Sequence, residues 1–281
     1  MFLLDNLMKD IELGSDGIWG QVSDYGKQTQ EKKLRESVAS KFYSNYLVEI
    51  SMHHSIPVMD SEVKYFLNQI PINGVILDIG GCWGWHWRSV NKYRPDVTII
   101  IVDLVRANLL HAKEILKDLI AKDKILLVHG NACSLKFKDE SFDGIWSVQT
   151  TQHIPNFEIV CVEVFRLLKK NGTYWDYGLN NATLIRYVYR LFRKTYHLNG
   201  NIQGSFFLRK INDNVINTVK NIFHVKPDVR YSEILFTPDF GLPIGGKENS
   251  ILGRIDSLFS SKLRIWKLIA RQCSFHVHKQ E

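Results

Sequence analysis

The chain has 281 residues, 45% of them hydrophobic, and 36 basic against 29 acidic side chains give it a formal net charge of +7. That length and apolar content point to a globular chain with one larger α/β domain, or one domain with an elaborated edge, and exclude a chain too polar to bury a core. The charge favours anionic partners but falls short of the polybasic tails of dedicated nucleic-acid binders, so nucleic acid is not the expected partner.

The four cysteines, Cys82, Cys133, Cys161 and Cys273, lie far apart without a C-x-x-C pair. They would make a sparse disulfide framework for a secreted protein, so a reducing, cytoplasmic setting is expected. The first ten residues, MFLLDNLMKD, carry no basic n-region or small-residue cleavage site. No apolar run approaches the roughly 20 residues of a membrane span.

Residues 1–58 read as a helical leader, with the polar stretch SDYGKQTQEKKLRES followed by the aromatic KFYSNYLVEI. The next segment, DSEVKYFLNQI, places Val63, Phe66, Leu67 and Ile70 at helical spacing behind a capping Asp60, and Pro71 ends it. Strand and helix patterns then alternate. Strands are expected at GVILDI, VTIIIVD, KILLVHG, FDGIWSV and GTYWDYGL, each a short apolar run bounded by turn residues. In FEIVCVEVFRLLKKNG, Phe157, Val160, Cys161, Val164 and Leu168 share one helical face, Arg166, Lys169 and Lys170 suit its negative end, and Gly172 is placed to cap it. Continuously apolar strands separated by such helices predict a doubly wound, mostly parallel sheet covered on both faces. Beyond Asn180 come a basic aromatic helix, LIRYVYRLFRKTYH, a helix near 211–222, an irregular stretch, a last helix IDSLFSSKLRIWKLIARQ and a final strand CSFHVHK.

In an open parallel sheet, ligands sit beyond the carboxyl ends of the strands. Residues 78–84, DIGGCWG, occupy that place after the first strand. G-x-G-x-x-G fails there in every register and no G-x-x-x-x-G-K-[ST] occurs, so an acid at the mouth of the turn suggests a ligand with cationic and hydroxyl groups.

From about Gly74 to Gly178 the chain resembles the class I S-adenosylmethionine-dependent methyltransferases, in particular the small-molecule group similar to quinone C-methyltransferases. VILDIGGCWG is similar to the family's acid-x-Gly-x-Gly-x-Gly turn, with Asp78, Gly80 and Gly84 in register. IIIVDLV ends its strand in Asp103, followed by Leu104, where the family's acid binds both ribose hydroxyls. GNACSLKFKDESFDGIWSVQTTQHI resembles G-[DN]-A-x-x-L-P-F-x-D-x-S-F-D, with Asn131 and Ala132 at the adenine edge. EVFRLLKKNGTYW is similar to the R-x-L-K-P-G-G stretch before the fifth strand.

The resemblance implies a Rossmann-like methyltransferase fold with a seven-stranded sheet and an acceptor-recognition insertion at about 181–250, within a domain spanning 59–281. The leader would be a lid over the acceptor site. S-adenosylmethionine is the implied cofactor, with Asp78, Gly80, Gly81, Cys82, Gly84, Asp103, Leu104, Asn131, Ala132 and Gln149 as its binding set. At each, an ordinary reading stands beside that one: Asp78 and Asp103 also suit helix caps, and Asn131 suits a turn. Cys82 replaces the family's middle glycine, and Gly81 beside it is expected to supply the lost backbone freedom. Trp83, Trp85 and Trp87 are read chiefly as packing around the turn.

Methyl transfer from a sulfonium is mostly positioning, with a base where the acceptor must lose a proton. His153 is the candidate, near Gln149 and Gln152, while a backbone-bonded structural histidine is the competing reading; Asp176 and Tyr177 are weaker candidates. No N-P-P-Y or D-P-P-Y follows the fourth strand. His53–His54 and His276-x-His278 lack further ligands, so no metal site is expected and these histidines read as exposed or packed. Arg186, Arg190, Arg193, Lys194 and His197 stripe one helix, and Arg264, Lys267 and Arg271 stripe the last. Both suit a solvated face, a small-molecule acceptor with an anionic group, or a peripheral contact with an anionic membrane.

Overall fold

The computed structural model describes residues 7–8, 11–20, 22, 29, 32–33, 36, 45–193, 200–202, 206–236, 238 and 244–280. The five apolar runs form β1 (Val75–Ile79), β2 (Thr98–Asp103), β3 (Ile125–His129), β4 (Phe142–Val148) and β5 (Leu168–Leu179). Two short strands, β6 (Gly200–Ile202) and β7 (Phe206–Leu208), make a separate hairpin, and β8 (Asp228–Ser232) and β9 (Gln272–His278) complete a seven-stranded sheet of order β3-β2-β1-β4-β5-β9-β8. The first five strands pair in parallel; β9 runs antiparallel between β5 and β8.

Helices cover both faces: α1 (Tyr46–His53), α2 (Ile56–Leu67), α3 (Arg106–Ile115), α4 (Phe157–Leu167), α5 (Thr183–Leu191), α6 (Asp213–Phe223) and α7 (Ile251–Phe259). Because successive strand residues point to opposite faces, one core gathers Leu77, Tyr174 and Phe275 with Phe157, Val164 and Phe223 of α4 and α6. The other gathers Ile76, Trp146 and Trp175 with Phe66 of α2 and the turn residues Trp85 and Trp87. From β1 the order runs outward one way through β2 and β3 and the other way through β4, and the crevice for a ligand opens at that reversal.

Several expectations differ from what folds. Within the leader, residues 11–20 form turns and isolated bridges rather than a helix: the N–H of Trp19 donates to the carbonyl of Leu127 and the N–H of His129 donates to that of Trp19, adding a rung to the β3 edge. The edge strand's unpaired backbone groups outweigh local helical preference there. Most of the polar stretch 23–37 lies outside the described residues, as do Lys194 and His197.

The helix at 60–70 starts earlier, at Ile56, with Pro57 in its first turn, and Asp60 bonds Arg88 instead of capping. Gly172 is a β5 residue and not a cap, because α4 ends at Leu167 and the chain turns directly into the strand. Arg166 is drawn away from the helix end by Asp139 and Glu163, and Lys169 by Asp143. The last helix is interrupted: Ser261 and Tyr231 exchange both backbone hydrogen bonds, ending α7 at Phe259 and leaving a short 3-10 turn at Arg264–Leu268. Arg271 therefore leaves the basic stripe, and its guanidinium pairs with the fully buried Glu233.

Candidate active site

The turn after β1 is shaped by two glycines. Gly80 has φ +69°, donates its N–H to the Val102 carbonyl at 2.7 Å, and leaves no room for a Cβ, which would sit 2.1 Å from the Thr150 side chain. Gly84 also takes φ +65°. Gly81 serves differently from the expectation: its φ is not positive, and a Cβ there would lie 2.3 Å from Asp78 Oδ2, so it supplies space. The left-handed conformation falls on Cys82 itself, with φ +51°. For an L-residue this costs about 1–2 kcal/mol.

Asp103, at the carboxyl end of β2, stabilises that turn. Its Oδ2 accepts from the backbone N–H of Cys82 at 3.0 Å, while Oδ1 accepts from the N–H of Val105 at 2.8 Å and the Asn108 amide at 3.2 Å. The residue is 7% exposed and faces a cleft lined also by Ile79, Gly80, Cys82, Leu104 and Ala132. Across the cleft stand Gln149, Thr150, His153 and Ile154 from the end of β4, and Lys32 and His54 from the leader.

Gln149, like Cys82, has a left-handed backbone, φ +51°, and its buried Nε2 has no partner among the described residues. A buried amide donor left unpaired costs about 1–3 kcal/mol, so a ligand acceptor is implied at that point. His153 is held by its neighbours. Its Nδ1 lies 2.9 Å from the Phe207 carbonyl, which only a protonated nitrogen satisfies, so Nε2, 3.1 Å from the Gln152 amide Nε2, carries the lone pair.

Other expected residues are placed elsewhere. Asp78 turns away from the cleft: its Oδ2 accepts from Trp87 Nε1 at 2.7 Å, and burial raises its carboxyl to about 7 against the pull of that hydrogen bond. Its protonation is thus tied to packing. Asn131 forms the turn its type suits, with Oδ1 accepting from the N–H of Cys133 at 3.0 Å, and it lines a neighbouring cavity between β3 and leader residues 11–14, 20 and 22. Asp176 lies on the α4 face, where Oδ2 accepts from Thr151 and burial raises its carboxyl to about 7. Tyr177 donates its hydroxyl to the buried Glu62 at 2.7 Å on the α2 face. Trp83, Trp85 and Trp87 are all buried, and none lines the cleft.

His54 was not legible as a site residue. It lines the cleft, with Nδ1 3.8 Å from Glu233 Oε1, and burial first, then the nearby Arg271 charge, hold its pKa well below the ordinary histidine range. It is a neutral imidazole near pH 7. Only the packing of α1 and α2 on the sheet brings it there, although its place just before the α2 helix start was a weak signal. No group of three or more potential metal ligands lies among the described residues.

A family model for a methyltransferase domain matches residues 77–175, which span the ends of β1, β2 and β4 that meet at this cleft. The chain carries a class I methyltransferase domain. The chain is 30% identical over 128 residues to a 24-methylenesterol C-methyltransferase of Arabidopsis thaliana, covering 44% of this chain and 34% of that protein. It spans about a third of the length of the curated relatives it matches. Among solved structures, an S-adenosylmethionine-dependent methyltransferase of Thermotoga maritima aligns over 89% of this chain and 99% of its own, with TM-score 0.58 and 15% identity. Phosphoethanolamine N-methyltransferase 2 of Haemonchus contortus, in complex with S-adenosyl-L-methionine, aligns over 78% of this chain and 52% of its own, with TM-score 0.51 and 18% identity. These two structural likenesses show the fold, and S-adenosylmethionine is the methyl donor of the domain family.

The cleft fits that donor on three counts: a glycine turn at Gly80 on its lining, a buried carboxylate at Asp103 and an amide donor at Gln149 with no partner among the described residues.

Proposed function

We propose that the protein is an S-adenosylmethionine-dependent methyltransferase acting on a small, lipid-like acceptor. The observation that carries this reading is the convergence of Gly80, Asp103 and Gln149, from three neighbouring strand ends, on one cleft. Asp103 would hold the donor's ribose diol, since a carboxylate accepts two charge-assisted hydrogen bonds at once. Ala132 and Leu104 would flank the adenine, and the turn Gly80–Cys82 would take the rest of the donor against its backbone. The donor supplies a methyl group already activated by its sulfonium.

What remains for the chain is to align the acceptor and, where needed, to accept its proton. His153 is the proposed proton acceptor: Nδ1 is anchored on the Phe207 carbonyl, and Nε2, whose lone pair accepts from the Gln152 amide, would release that amide to take the acceptor's proton. His54 and Lys32, from the leader, would meet the acceptor from above. The apolar lining at Ile79, Val148 and Ile154 favours a hydrocarbon body over a sugar, and the sterol named for the Arabidopsis relative is of that chemistry. An anionic group on the acceptor would meet Lys32.

Calorimetry on the intact protein with S-adenosylmethionine and S-adenosylhomocysteine tests donor binding. Incubation of cell lipid extracts with labelled donor tests the acceptor class. Binding of neither nucleoside would overturn the reading; label entering only protein or RNA would overturn its acceptor half.

A further inference from the structure

α5 leaves β5 at the carboxyl edge of the sheet. The Asn180 amide fixes its start by donating to the carbonyls of Lys267 and Ala270, at 3.0 and 2.8 Å. α5 packs on the turn Arg264–Leu268, and Trp266 of that turn meets Phe259 of α7 with ring centroids 5.8 Å apart. The three segments thus form one continuous face at the end of the sheet where the cleft opens.

That face is unusually apolar for a surface. Tyr187 is 70% exposed, Leu191 78%, Leu258 82% and Ile265 65%, and Leu184, Phe192, Ile251 and Leu263 are exposed beside them. More than half of the exposed large apolar side chains among the described residues lie within 183–193 and 251–268. Contiguous apolar patches of this kind mark docking surfaces, because leaving them in water costs about 25 cal/mol per Å².

The polar part of the same face has one sign of charge. Arg186, Arg190, Arg193, Arg254, Arg264, Lys262 and Lys267 are all exposed. The single acid within 183–193 and 251–268, Asp256, is 1% exposed and turned inward, where it accepts from the N–H of Ile234. Among the described residues, acids of neighbouring segments pair with the two lysines: Lys262 faces Asp228 and Lys267 faces Asp213. Protein-binding faces concentrate apolar residues and lose charge at their centre, whereas here cations alternate with large apolar side chains along a short amphipathic helix. That pattern suits a helix lying in a headgroup layer, its apolar side sunk toward the acyl chains and its arginines on lipid phosphates. No helix among the described residues is long and apolar enough to cross a membrane.

We propose that α5, the turn 263–268 and α7 form a docking surface for an anionic lipid bilayer, on which the protein lies with its cleft near the interface. Cosedimentation of the intact protein with vesicles of phosphatidylcholine, alone or mixed with phosphatidylglycerol, tests it, with S-adenosylhomocysteine affinity as a control for folding. The protein is expected to associate with the mixed vesicles and to be released by salt. Leu191→Glu with Leu258→Glu should lower the association about tenfold or more. Arg190→Gln with Arg264→Gln should lower it about fivefold per arginine. Both pairs should leave nucleoside affinity unchanged. Absence of association with anionic vesicles, or association indifferent to both pairs, overturns the proposal. So does light scattering showing a dimer that the leucine variants split, which would give the face to a second copy of the chain. Failure of the intact protein to bind the nucleoside would instead count against the methyltransferase reading, with the vesicle result still deciding this one.

Discussion

Asp103 Oδ2 accepts a hydrogen bond from the backbone N–H of Cys82 at 3.0 Å, so the acid that ends one strand fixes the turn that follows its neighbour. Both residues line the cleft. One side chain therefore has two duties, to hold the turn and to face the ligand. Asp103→Ala is expected to weaken S-adenosylhomocysteine binding on the order of 10²-fold or more, with part of the loss coming through the loosened turn. Asp103→Asn can still accept from the Cys82 N–H through its amide oxygen, and should retain the thermal midpoint better than the alanine variant while binding the nucleoside poorly. Calorimetry and thermal melts together separate the two duties; equal melts and equal affinities for the two variants would contradict them.

Cys82 occupies a left-handed conformation that glycine takes freely. Cys82→Gly is expected to leave stability unchanged or to raise it by up to about 1 kcal/mol, the relief of strain being offset in part by glycine's larger unfolded-state entropy. Cys82→Val, stiff at Cβ, should lower it by about 1 kcal/mol or more. Because the thiol borders the cleft, bound S-adenosylhomocysteine should also slow its alkylation in the wild-type protein. Mass spectrometry of the labelled peptide reads this directly, and equal labelling with and without nucleoside would place the ligand elsewhere.

His153→Ala is expected to lower the rate of labelled-methyl transfer by about 10²- to 10⁴-fold, the range of a lost general base. Nucleoside affinity should stay within about threefold, since Asp103 and the Gly80 turn are untouched. Gln152→Leu removes the amide that faces Nε2 and should shift the pH profile of the rate without abolishing it. A His153→Ala rate within about fivefold of wild type would reduce this residue to a structural support for the Phe207 carbonyl.

Burial raises the Asp176 carboxyl from 3.8 to about 7, against the opposing pull of Thr151 and Ser147. With the folded pKa above the unfolded one, the native state binds more protons between about pH 4 and 7. Its stability therefore falls as pH rises through that window. Asp176→Asn cannot ionise, so its stability relative to wild type, read from thermal melts, should climb from pH 5 to pH 8 by at most roughly 3 kcal/mol. A difference constant with pH would show that the carboxyl is already ionised across the window.

The periodicity of short apolar runs was enough to locate five parallel strands and the closing strand near the C-terminus, because strands buried on both faces must be apolar throughout. β8 escaped it. DVRYS is largely polar, and it pairs only because β9 offers an open edge. The glycine-rich turn and the acid of β2 were equally legible, since a turn at Gly80 and a carboxylate at a strand end are local requirements of the chain.

The division of duties within the turn was not local. Asp78 and Asp103 read alike in sequence, as acids ending neighbouring strands. The indole of Trp87 holds one in the core, and the Cys82 N–H holds the other at the cleft. The chain by itself determined a doubly wound sheet with a ligand crevice at the end of β1. Only the tertiary structure decided that His54 lines that crevice, that Asn131 and Asp176 do not, and that α5 shows its apolar side to solvent. Each of those outcomes depends on which distant segment packs against the residue, and the spacing of residues along a chain carries no record of that.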